Sequence, residues 1–94
     1  MPVRVGISIP PAGFASHDDA VTYVHTAAEA GLDHLVTADH VAFHGGRGRD
    51  GLMTVSWLAG LHPPIGVYVG VYLLALRHPV AVARQISTLA DQAP

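Results

Sequence analysis

Ile65-Gly66-Val67-Tyr68-Val69-Gly70-Val71-Tyr72 alternates without a break between β-branched residues and Gly or Tyr, the period-two signature of a strand with two unlike faces. Ile65, Val67, Val69 and Val71 share one face; Gly66, Tyr68, Gly70 and Tyr72 share the other. The start of the chain repeats the logic, with Val3, Val5, Ile7 and Ile9 set against Arg4, Gly6 and Ser8. Between these two runs, Leu32 to Ala38 is a short apolar stretch with a β-branched centre, Val36-Thr37. It is too short for an ordinary helix and reads as a third strand.

Helical patterns separate and follow the strands. Pro10-Pro11-Ala12-Gly13 stops the first strand, and Ser16 with Asp19 three positions on resembles a capping box, with Asp18 and Asp19 placed favourably in the first turn. Ala20, Val21, Val24, Ala27 and Ala28 then recur at the helical period, and Gly31 is expected at C′ in the left-handed region. Leu52 to Leu61 is apolar nearly all round, so it reads as a buried helix, with Trp57 in the core, stopped by Pro63-Pro64. Pro79 suits a first helical position, and Val82, Ile86, Leu89 and Ala90 form the stripe of a last helix whose other face carries Gln85, Thr88 and Asp91. The Gly- and charge-rich stretch from His44 to Gly51 reads as a surface loop, because ordering so many glycines costs backbone entropy.

Strand and helix units that alternate at this length imply an α/β fold with a parallel sheet and right-handed crossovers, since each helix must bury its stripe on the sheet it returns to. A dinucleotide-binding sheet and a barrel both satisfy that rule. Two details favour the barrel: the outer strands have one β-branched face suited to helices and an opposite face of Gly, Ser or Tyr, which would line an interior with room for a ligand. No Gly-x-Gly-x-x-Gly fingerprint follows the first strand, where Pro10-Pro11 replaces a phosphate cradle. The chain is therefore expected to form the first three strand-helix units of a (β/α)8 barrel, a single truncated domain over residues 1–94. A complete barrel takes about 250 residues.

Composition narrows the function classes. The chain is 50% apolar with seven acidic and five basic residues, a net charge of −2, which gives no electrostatic reason to bind nucleic acid or an anionic membrane. It has no cysteine, hence no disulfide and no thiolate. The N-terminus lacks a secretory pattern, and the longest apolar run, Val67 to Leu76, is too short to span a bilayer, so a cytoplasmic location is expected.

In parallel α/β folds chemistry collects where strand C-termini feed their loops. Asp39-His40 lies directly after the second strand, where an imidazole can shuttle protons near neutral pH and a neighbouring carboxylate can bind a polar group or tune it. His40 and His44 are four apart, but no third ligand at a familiar spacing follows, so no metal site is assigned. His17, His25, His34 and His62 read as solvated or locally bonded, and Arg47 and Arg49 as a solvated basic loop rather than a phosphate contact. Arg77, in Leu76-Arg77-His78-Pro79, can meet an anion or pin a neighbouring strand's carboxylate; the structural role is the preferred reading. Gly70 leaves room for close approach of a planar ligand.

Ala30-Gly31-Leu32-Asp33, Ala38-Asp39-His40, the run from Val69 to Val80 and the run from Ala83 to Leu89 together resemble the N-terminal part of the luciferase-like monooxygenase family, the flavin- and deazaflavin-dependent (β/α)8-barrel oxidoreductases. The resemblance spans nearly the whole chain, and the run from Val69 to Val80 is its most specific block. It implies an isoalloxazine or deazaflavin ring, FMN or coenzyme F420, over the C-terminal mouth of the barrel. It maps the family's strand-three bulge, often a non-proline cis peptide that backs the ring, onto Gly70 and Val71. It places Asp39 near the cofactor and makes His40 the candidate proton donor or acceptor. Leu73 stands where some members have a hydroxyl residue bonded to the ring edge. The Gly-Arg turn and fourth strand that follow the last helix in the family, and the phosphate-binding loops beyond them, are not in this sequence.

The expected function is that of an oxidoreductase that transfers hydride or activates oxygen on a small-molecule substrate, here as a fragment. Asp39-His40 and the Arg-His-Pro segment lean towards F420. The alternative is a catalytically inactive, truncated barrel domain that persists as a homo-oligomer covering its open sheet edge.

Overall fold

The computed structural model describes residues 2–42, 45 and 48–93. His44 and Arg47, the candidate metal ligand and anion contact, lie outside the described residues. The elements run in the order β1 (Gly6–Ser8), α1 (His17–Glu29), β2 (His34–Thr37), α2 (Gly51–Ala59), β3 (Gly66–Val69) and α3 (Pro79–Gln92), with a short 3₁₀ turn at Leu74–Leu76 before α3.

The strands form one parallel sheet in the order β1-β2-β3. Its register sets Ile7 beside Leu35 and Leu35 beside Val67. Because pleated neighbours share a face, Ile7, Ile9, Leu35, Thr37, Val67 and Val69 lie on one side and Gly6, Ser8, His34, Val36, Gly66, Tyr68 and Gly70 on the other. The first side packs on the helices: Ile9 and Leu35 join Val24 and Ala27 of α1 and Leu58 of α2 in the core, bordered by Phe14, Tyr23, Leu32, Leu61, Ile65 and Val67. The β-branched face thus meets helices, and the Gly, Ser and Tyr face is turned away from them. On that face the His34 ring lies over Gly6, in the space a Cβ there would occupy, and 4.9 Å from the Tyr68 ring.

The helix ends follow their sequence signals. Ser16 accepts the Asp19 N–H at 3.1 Å, satisfying one of the amides that every helix start leaves unpaired. At the other end Gly31 takes φ +84°, its N–H bonds the Ala28 carbonyl, and the Leu32 N–H reaches back to Ala27, the pair of bonds that defines a Schellman stop. Pro79 is the first residue of α3, capped by His78, whose Nδ1 accepts the Val80 N–H.

Two expectations about the helices are overturned. α2 is not buried all round: Gly51, Val55 and Leu58 face the sheet, while Met53 and Trp57, on the opposite side at helical spacing, are 71% and 45% exposed. One short helix lying on a sheet can bury only one stripe, whatever its composition. Trp57 is therefore a flank residue, its ring 6.0 Å from that of Phe14. α3 buries only Val82, and Ile86 of the same stripe is 51% exposed. Among the described residues no helix is long and apolar enough to cross a membrane.

Candidate functional site

The carboxyl ends of all three strands lie at the same end of the sheet, because the strands are parallel. There the backbone of Ile9 donates to Val36 and that of Gly70 to Thr37, so the first residues after β1 and β3 are held against β2. The peptide bond between Gly70 and Val71 is cis. Asp39 and His40 follow β2, and their side chains have different surroundings.

Asp39 is fully enclosed, with no exposed side-chain surface. Its Oδ1 accepts the Gly51 N–H at 2.8 Å and Arg77 Nη2 at 2.9 Å; its Oδ2 accepts the Leu73 N–H at 2.8 Å and Arg77 Nη1 at 2.6 Å. Four bonds fill the accepting capacity of two carboxylate oxygens. Burial by itself would raise the Asp39 pKa, but the bonds from Arg77, Gly51 and Leu73 and the guanidinium charge outweigh it and hold the group at about 2. The carboxylate is thus ionised, and its bonds join the end of β2 to the start of α2 and to the segment after β3.

Arg77 completes this arrangement. Besides gripping Asp39 with both terminal nitrogens, it donates from Nη2 to Asp50 Oδ2 at 2.8 Å and from Nη1 to the Leu73 carbonyl at 3.1 Å, and it lies 4.3 Å over the Tyr72 ring. The bonds to Asp39, then to Asp50, push its pKa still further above the ordinary arginine range. Asp50 is also the N-cap of α2, accepting the Met53 N–H at 2.9 Å; that bond, opposed by burial and aided by Arg77, lowers its pKa. The reading of Arg77 as a residue that pins a neighbouring strand's carboxylate is what the structure displays. A second carboxylate, that of Asp50, was not foreseen.

His40 is half-buried and lines a concave site of ≈ 700 Å³ at the ends of β1 and β2, together with Ser8, Pro10, Val36, Ala38 and Arg49. Its N–H donates to the Arg49 carbonyl at 2.9 Å, and its ring lies against Gly48, which has φ +92° and where a Cβ would fall 2.5 Å from Cγ. Arg49 in turn donates from Nη2 to the Ala12 carbonyl at 2.8 Å, tying the loop after β2 to the loop after β1. It serves as a loop tie in place of the solvated residue expected. Among the described residues no group of His, Asp and Glu side chains could hold a metal ion.

The sequence-chosen residues therefore come together at one end of the sheet but take separate positions. His40 borders the cleft, Gly70 and Val71 follow β3, and Asp39 is enclosed, bonded to protein groups. A Cβ at Gly70 would come within 2.9 Å of the Tyr68 ring and 3.5 Å of Val36, so only glycine lets the Tyr68 ring lie this close to the backbone there. The cleft wall is mainly apolar, from Ile9, Pro10, Pro11, Ala12, Val36 and Ala38, with His40 and Arg49 beside them, and its volume lies within the range of small-molecule sites.

The model of the luciferase-like monooxygenase family matches residues 2–94. The chain belongs to that family. Comparison with the curated proteins and with the solved structures gave no significant match. Luciferase-like monooxygenases are flavin-type oxidoreductases whose members use flavin or F420.

Proposed function

We propose that this luciferase-like chain forms the first three strand-helix units of a (β/α)8 barrel and supplies one wall of an FMN or F420 pocket in an oxidoreductase. The observation that carries the reading is the cleft of ≈ 700 Å³ at the carboxyl ends of β1 and β2, bordered by His40 on one side of a sheet face that is bare of helices. That face, with Gly6, Ser8, Gly66, Tyr68 and Gly70, is the one a barrel would turn inward.

The bound cofactor would supply hydride transfer or oxygen activation. The chain's own residues do the rest. Ser8, Val36 and Ala38 of the cleft and the Gly70-Val71 backbone at the end of β3 would hold the ring and shield one side of it from water. His40 takes up or delivers a proton at the substrate, a role suited to a half-buried imidazole at the rim. Asp39 holds the floor of the site and acts on the ring only through the backbone it fixes.

Titration of the purified chain with FMN and with F420, followed by fluorescence quenching and calorimetry, tests this reading. Saturable binding of one of them at a single site is expected. Failure of both to bind would remove the pocket assignment.

A further inference from the structure

We infer that Arg77 is a positioning residue for the site: it closes the base of the loop that carries His40 and fastens that base to the segment after β3. Its functional meaning rests on the pocket proposed for FMN or F420, and its substance is geometric.

The loop after β2 leaves the sheet at Asp39 and rejoins a regular element at Asp50, the cap of α2. The two carboxylates that mark its stems bind the same guanidinium, Asp39 through both oxygens and Asp50 at 2.8 Å. Between the stems the backbone is closed by the His40 N–H on the Arg49 carbonyl at 2.9 Å and by the Gly51 N–H on Asp39. His40 is the first residue inside this closed base. On its other side, Arg77 donates to the Leu73 carbonyl and shares Asp39 with the Leu73 N–H, which fixes the chain two residues after Val71.

Without the guanidinium, two carboxylates would face each other, one of them fully enclosed, and like charges there would force the stems apart. His40 would be the first residue displaced, and the backing behind Gly70 and Val71 would loosen with it. Lysine cannot take over: a single ammonium has no planar fork to grip one carboxylate with two nitrogens while reaching a second. Arg77 does not line the cleft. It acts through Asp39, Asp50 and Leu73.

The test compares wild type with Arg77→Lys and Arg77→Met by two-dimensional amide and imidazole NMR and by FMN and F420 titration, with circular dichroism as the check on folding. In folded Arg77→Lys the His40 ring and Val71 amide resonances are expected to move, and the affinity for whichever cofactor wild type binds to fall roughly tenfold to a hundredfold, the order of loss when a residue that orients a binding site from outside it is removed. A purely structural arginine would lower the melting temperature and leave both the resonances and the affinity of the folded protein unchanged, and that result would overturn the inference. If Arg77→Met does not fold, Arg77→Lys decides. If wild type binds neither cofactor, the pocket reading fails by itself, and the resonances alone then judge whether Arg77 positions His40.

Discussion

Asp39 shows how a residue chosen for one kind of chemistry can hold a site together by another. Its carboxylate is spent on four protein donors, so its effect on the mouth is mechanical, and that has a pH signature. The folded-state pKa, about 2, lies below the ordinary aspartate value of about 3.9. A depressed value means that Asp39 contributes stability above its unfolded pKa and loses that contribution as pH falls towards the folded one. Replacing it by Asn leaves a buried site with one wrong donor and Arg77 half-paired, which is expected to cost about 3 kcal/mol near neutral pH. Urea midpoints of wild type and Asp39→Asn should therefore differ most above roughly pH 5 and converge on acidification; parallel profiles would show that the carboxylate charge is not what holds the base of the loop. Asp39 and His40 were singled out in the sequence because they follow a strand, and a structural role was preferred for Arg77, but its partner could not be named. Thirty-eight residues separate the partners, and only the order β1-β2-β3 brings the segment after β3 beside the end of β2. Asp50 was missed because its charge lay in a loop whose stem could not be located from composition.

At the scale of elements, local signals specified what they physically control. Alternation identified the two faces of β1 and β3, and caps fixed both ends of α1. Strand lengths were overstated: Val3 to Ile9 contracts to Gly6–Ser8 and Ile65 to Tyr72 to Gly66–Val69, because a ladder extends only as far as a neighbour accompanies it. The burial of α2 was overstated because composition reports how apolar a helix is, while the sheet decides how many of its sides can be covered. The stop of α1 offers a clean test of the local reading. Gly31 has φ +84°, yet a Cβ there would meet nothing within 4 Å, so Gly31→Ala introduces backbone strain without a clash. The expected loss is about 1 kcal/mol, partly offset by the less flexible unfolded chain. For a domain of this size that is a melting temperature lower by about 4 °C or more. Gly31→Asn should lose less, because Asn tolerates the left-handed region. Equal melting temperatures for Gly31→Ala and wild type would mean that the helix can end in another conformation.

The whole molecule carries more surface than its mass warrants. A compact protein of 9.8 kDa is expected to expose roughly 5,200 Å², whereas this chain exposes 6579 Å². The excess, about 1,400 Å², exceeds the ~800 Å² that each partner contributes to a standard interface. Several large apolar side chains are among the exposed residues. Val3, just before β1, is 85% exposed, and Ile86 projects from the stripe of α3 that only Val82 buries. Both outer strands, β1 and β3, have an edge with no strand beside it among the described residues. Barrel strands from further units would cover these surfaces, and so would a second copy of the chain. The purified 94-residue chain is accordingly expected to self-associate at micromolar concentration. Sedimentation velocity should show a dimer or larger species, and Ile86→Lys should shift the distribution towards monomer, because a charge on that stripe costs desolvation when the surface is covered. The exposed position of Ile86 makes the substitution harmless to the isolated fold, so loss of association would report on the interface and not on unfolding. A chain that stays monomeric across the concentration range would show that about 1,400 Å² of excess surface can remain open to water and that the outer strands need no neighbour.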